Sequence, residues 1–254
     1  MLEARLATAV LLKKLVEALR ELVTNINLEC TAEGIELQAM DTSHVALVTF
    51  VLRASSFDEY RCDGALTLGL SLEKLAKVLR GAENDDAVVL RAEDNSSRLS
   101  LVFEGRNEDK ISEFKLNLLT LDSEHLGIPE SEYSAVITMP SAQFNKICRE
   151  LGSLSDSLTI DVNKQRVQFS VEGDDGDGIV TLRHREIGEN KTVLQVIEPL
   201  RMSYAMRYLL LFNKSSSLAE EVMISLAPSL PLVVHYQFEL GEMKYYLAPK
   251  VNEN

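Results

Sequence analysis

From residue 11 the chain reads LLKKLVEALRELV, with Leu12, Leu15, Leu19 and Leu22 spaced three, four and three apart. That spacing keeps one face of an α-helix apolar, so it predicts a helix over 11–23 with Lys13, Lys14 and Arg20 on the polar side. Beyond it Ile26, Leu28 and Cys30 alternate with polar residues. Gly34 marks a turn, and Ile35, Leu37 and Ala39 alternate again, the period of two expected of paired strands.

The same pattern returns 132 residues later. Phe144, Ile147, Leu151 and Leu154 repeat the helical spacing; Leu158, Ile160 and Val162, then Val167, Phe169 and Val171, repeat the strands. The match runs ungapped to Leu47 and Phe50, which meet Ile179 and Leu182. Twelve apolar positions in one register identify an internal duplication. A weaker repeat lies inside each half. LEKLAKVL (72–79) places Leu72, Leu75 and Leu79 at an offset of 60 from Leu12, Leu15 and Leu19, and YAMRYLLLF (204–212) precedes strands at 222–226 and 232–236. The last copy drifts in register by a residue. The unit thus occurs four times as a helix followed by strands. Short helices among many alternating strands predict an α+β fold with helices grouped on one side of antiparallel sheets. The expected domains are 1–117 and 135–254, with a connector over 118–134.

Charge sharpens this picture. The chain has 254 residues and a formal net charge of −13, yet the polar faces of the four helices are basic. They carry Lys13, Lys14, Arg20, Lys74, Lys77, Arg80, Lys146, Arg149, Arg207 and Lys214 against Glu17, Glu21 and Glu73, which leaves 16 basic and 36 acidic residues elsewhere. One such helix is explained by i,i+4 pairs with its own carboxylates. Four copies of the same bias point to a polyanion track, because spread Lys and Arg meet phosphates without reading bases. The helices lack interleaved aromatics, so a duplex is favoured over single strands.

The sequence offers no catalytic constellation. His44, His125, His184 and His235 stand apart, and Cys30, Cys62 and Cys148 form neither a CxxC nor a zinc spacing. Neither a phosphate-binding loop nor a dinucleotide fingerprint is found. GDDGDG (173–178) has a calcium loop's composition without its ligand spacing. A binding protein is expected, with no metal or cofactor. Dispersed thiols fit a reducing compartment. Glu3 stands where a signal peptide needs positive charge, and no apolar run approaches the ~20 residues of a membrane span. A cytosolic or nuclear protein follows.

The strings EARL, LQAMDTSHVALV, YRCD, LRAEDNSSRLSLVFE, LGIPESEYSAV, PLVVHYQF and MKYYLAPK resemble the eukaryotic sliding DNA clamp (proliferating cell nuclear antigen) family over essentially the whole chain. The resemblance implies a duplicated clamp fold of two similar domains. It implies a head-to-tail homotrimer closed into a ring around duplex DNA, in the nucleus. It also implies partners that include a DNA polymerase, a clamp loader and other proteins carrying short clamp-binding peptides. Residues matching the family's DNA-facing set are Lys13, Lys14, Arg20, Lys77, Arg80, Arg149, Arg207 and Lys214, to which helical register adds Lys74 and Lys146. The matching subunit edges hold Lys110, Ile111, Phe114 and Leu116 on one side and Ile179, Val180 and Leu182 on the other. The partner-peptide positions are Met40, His44, Val45, Leu47, Leu126, Gly127, Ile128, Pro231, Tyr246, Ala248, Pro249 and Lys250. Lys164 matches a lysine that the family modifies with ubiquitin or its relatives. His125 departs from the glutamine often found there, and 185–195 is shorter than the corresponding segment of a family relative. A small-molecule or nucleotide-processing enzyme on a duplicated scaffold and a checkpoint-type clamp active only in a heterotrimer are the competing readings.

Overall fold

The apolar stripes decide which side of each element is covered. The computed structural model describes residues 1–94, 96–106, 110–122, 126–128, 131–174, 176–188 and 191–250; His125 and Asp175 lie outside them. The N-terminal half contains β1 (Leu2–Leu6), α1 (Val10–Leu19), β2 (Asn25–Thr31), β3 (Gly34–Met40), β4 (Ala46–Arg53), β5 (Glu59–Cys62), β6 (Leu66–Ser71), α2 (Leu72–Leu79), β7 (Ala87–Ala92), β8 (Arg98–Glu104) and β9 (Ile111–Asn117). The C-terminal half contains β10 (Ala135–Pro140), α3 (Ser141–Leu151), β11 (Ser157–Val162), β12 (Arg166–Gly173), β13 (Gly176–Arg183), β14 (Val193–Val196), β15 (Leu200–Ala205), α4 (Met206–Phe212), β16 (Glu221–Leu226), β17 (Leu232–Phe238) and β18 (Gly241–Leu247).

Two compact units emerge. The first is Met1–Thr42, Val48–Leu126 and Glu239–Glu242; the second is Ser43–Leu47, Gly127–Phe238 and Met243–Asn254. In the N-terminal half the strand order is β5-β1-β7-β8-β9, with β6-β2-β3-β4 side by side; in the C-terminal half it is β14-β10-β16-β17-β18, with β15-β11-β12-β13. The β5-β1-β7-β8-β9 and β15-β11-β12-β13 ladders are antiparallel throughout, as is the β6–β2 pair. Strand for strand the two orders correspond, so the duplication seen in the apolar spacing is a duplication of topology.

The helices owe their stability to burial. α3 buries Phe144, Ile147, Cys148 and Leu151; large apolar side chains each contribute roughly 1.5–3 kcal/mol, enough to hold an 11-residue helix that would be marginal alone. α2 adds a Ser71 cap whose side chain accepts from the Lys74 amide, and a Lys77–Glu73 pair at 2.6 Å. The β2–β3 turn requires glycine. Gly34 has φ +146°, and a Cβ there would lie 2.2 Å from the Leu52 carbonyl oxygen.

Two expectations are corrected. The first helix ends at Leu19, not 23; Leu22 is buried from the following turn, where its amide donates to Leu19 O at 2.9 Å. The chain must reverse there to reach β2 at Asn25. α4 starts at Met206, so Tyr204 and Ala205 belong to β15 and the last copy is offset from α2 by 134, two residues more than the main repeat. At one matched position the two halves differ in burial: Leu47 is buried and its counterpart Ile179 is 63% exposed. Only residues 174 and 175 separate β12 from β13 in sequence, against 41–45 between β3 and β4, and among the described residues β13 has β12 as its one strand neighbour.

Candidate nucleic-acid interface and docking surfaces

In the first unit α1 turns Leu15, Val16, Ala18 and Leu19 inward, and α2 turns Leu72, Leu75 and Leu79 inward. Lys14, Lys74, Lys77 and Arg80 are thereby exposed, while Lys13 and Arg20 are half-buried. A groove of about 390 Å³ between these helices is lined by Lys13, Val16, Glu17, Arg20, Ala76, Leu79 and Arg80. Arg20 donates to Glu17 Oε1 at 3.0 Å, and its buried Nε has no hydrogen-bond partner among the described residues. The Lys77 ammonium holds the exposed Glu73 carboxyl below its usual range, first through their hydrogen bond and then through charge. Such surface pairs are weak and salt-screened, so a phosphate can displace the carboxylate.

In the second unit α3 exposes Lys146 and Arg149, and Lys146 lies 3.7 Å from Glu150. Arg207 on α4 is exposed above the Tyr208 ring at 4.6 Å and donates to the Tyr208 hydroxyl at 3.0 Å. Lys214 projects from the 3-10 turn Asn213–Ser217, and both its neighbours are buried. Asn213 donates to Leu209 O at 2.9 Å and accepts from Tyr236 Oη at 3.1 Å, while Ser215 Oγ lies 2.7 Å from Tyr245 Oη. Burial drives the Tyr236 hydroxyl well above its ordinary pKa, so it remains a donor. Nothing in the apolar spacing flags this network, because Asn213 sits where the other helices have leucine.

Among the described residues β9 and β13 end their sheets, with only β8 and β12 beside them, respectively. β9 exposes Ile111 at 68% and Phe114 at 38%, with Lys110 also exposed and Leu116 half-buried. The Phe114 ring rests on Phe103 at 5.6 Å. β13 exposes Ile179, with Val180 and Leu182 half-buried. Unpaired edges bearing apolar side chains are poised for strand addition.

The partner-peptide positions divide between the units. In the first, Met40 ends β3, and Leu126 is 41% exposed while Gln38 brackets its backbone, donating to Leu126 O at 3.0 Å and accepting from Leu126 N at 2.6 Å. In the second, exposed His44 has a left-handed φ of 56° beside Val45, whose carbonyl accepts from Ala248 N at 3.2 Å. Gly127, Ile128, Pro231 and Ala248 are exposed, Tyr246 and Pro249 are half-buried, and Leu47 is buried. Lys250 N donates to Ser203 O at 2.9 Å, and its ammonium lies 3.6 Å from Asp156. Gln38 carries no signal in the sequence, since its role depends on a residue 88 positions away. Lys164 is exposed on the β11–β12 turn, where Asn163 Oδ1 accepts from the Gln165 and Arg166 amides. Among the described residues no three His, Cys, Asp or Glu side chains form a metal-holding group, and no helix is long and apolar enough to cross a membrane.

The family profile for the proliferating cell nuclear antigen N-terminal domain matches residues 1–125, and that for its C-terminal domain matches 127–250. A proliferating cell nuclear antigen of Chaetomium thermophilum is 46% identical over 258 residues, covering all of both chains. The boundary between the two profiles falls at the junction of the two halves of the repeat. This chain belongs to the proliferating cell nuclear antigen family of sliding DNA clamps.

Proposed function

We propose that the chain acts as a nuclear sliding clamp that encircles duplex DNA, confers processivity on a replicative DNA polymerase, and docks replication and repair proteins. The observation that carries this is the pair of cationic helix faces in each unit, set in a protein of net charge −13. The proposed phosphate-facing set is Lys14, Arg20, Lys74, Lys77, Arg80, Lys146, Arg149, Arg207 and Lys214; Lys13 stands beside them, bonded to the turn after α2. Contacts of this kind attract any duplex without fixing a register, which suits sliding.

The β9 edge of one subunit pairs with the β13 edge of the next. Two different edges make a heterologous contact, and such a contact closes into a ring when the rotation allows. The family's homotrimer satisfies this, since two similar domains in each of three subunits approximate sixfold symmetry. Domain boundaries at 1–117 and 135–254, with a connector over 118–134, are supported by β9 ending at Asn117 and β10 starting at Ala135. Peptides from the polymerase, the loader and other partners engage the exposed apolar positions beside the connector and the C-terminal segment, and Lys164 offers an exposed amine for modification.

The test is retention on DNA. Loaded clamp crosslinked across its subunit contacts should remain on closed circular duplex and run off when the circle is linearised. Equal retention on both forms would reject encirclement.

A further inference from the structure

Lys13 differs from its neighbours on the cationic faces. Its ammonium donates to the Ala82 carbonyl and, at 3.1 Å, to Asn84 Oδ1. Ala82 lies in the turn that ends α2, with its own amide on Leu79 O at 3.3 Å. The ammonium thus bonds a turn carbonyl just beyond the C-terminus of α2, the end of a helix whose dipole favours a cation.

The second unit repeats this tie without the charge. Asn145, 132 residues on from Lys13, donates to Ser216 Oγ at 2.9 Å. Ser216 lies in the turn after α4, at the 134-residue offset from Ala82 that relates Met206 to Leu72. Each tie therefore joins the same place on the first helix of a unit to the same place after the second. The charges behave otherwise. Lys14 matches Lys146 at the first offset, and Arg80 matches Lys214 at the second. At those positions the copies keep the cation; at 13 and 145 they keep the bridge and discard the cation.

We propose that Lys13 and Asn145 are positioning residues. Each ties the first helix of its unit to the turn closing the second, and so sets the spacing of the cations on both; Lys13 is not a phosphate contact. The tie stands on its hydrogen bonds, and only its effect on DNA rests on the clamp reading.

The experiment uses the full chain with Lys13→Met, Asn145→Ala, and Lys14→Met as the variant that removes a shared cation. Amide hydrogen exchange without DNA is followed at 80–86 and 213–218, and duplex association is titrated against salt. Losing a hydrogen bond to a charged group should speed exchange at 80–86 roughly tenfold in Lys13→Met. Asn145→Ala should do the same, to a lesser degree, at 213–218. Both variants should bind duplex more weakly with an unchanged slope of log K against log salt. Lys14→Met should instead lower the slope by about 0.9 for each phosphate it no longer neutralises. Unaltered exchange in Lys13→Met, or a slope lowered as in Lys14→Met, would overturn the assignment, as would undiminished association in both tie variants. If neither parent nor variants bind duplex, the clamp reading fails, and exchange alone decides the tie.

Discussion

A single residue, Asn213, shows how polar chemistry enters an apolar register. It occupies the place of Leu19, Leu79 and Leu151 yet is 2% exposed, because its amide is bonded to Leu209 O and Tyr236 Oη. Asn213→Leu would leave the Tyr236 hydroxyl buried without that acceptor, so it should destabilise the fold by about 1–3 kcal/mol in denaturant unfolding. The thiols report the same environment. Burial pushes both Cys30 and Cys148 up to about 12 from an ordinary 9.0. The fold favours their neutral form, so this stability is fully present below pH 9.0 and is lost as pH rises toward about 12. Unfolding midpoints should fall over that window. Cys62 is only half-buried, and it should be the first thiol alkylated in the native protein, as peptide mapping would read.

At the scale of elements, α1, α3 and the hairpins after them were legible because period 3.6 and period 2 are written directly in residue spacing. Their ends were not, since turns are set by where the next strand must start. The edge strands give the sharpest expectation. Phe114→Ala on β9, or Ile179→Glu on β13, strips an apolar side chain from a strand edge. Interface anchors of this kind are worth about 2 kcal/mol or more on truncation. Light scattering of either variant at micromolar concentration should therefore move from trimer toward monomer mass, with each chain still folded by circular dichroism. Trimers unchanged in both variants would exclude these edges as the subunit contact.

For the whole molecule, charge placement decides behaviour. Most of the acidic excess lies away from the helix faces; in the proposed function it discourages polyanions elsewhere while the helix faces attract them. Reversing Lys77, Arg80 and Arg149 to Glu should weaken duplex association by at least an order of magnitude at low salt. The trimer should persist, because none of the three lies on β9 or β13. Association measured against salt, with sizing alongside, checks both halves of the prediction.

Sequence by itself determined the duplication, the α+β class, the cationic helix faces and the absence of a recognisable catalytic motif, because each is a property of spacing or composition along one chain. Tertiary structure decided that Lys13 reaches across to Ala82, that Gln38 brackets Leu126, and that the compact units take up Ser43–Leu47 and Glu239–Glu242 out of sequence order. Each of these depends on residues brought together by the packing of whole elements. Local periodicity sets the faces those elements bury, and only their assembly fixes which polar groups then meet.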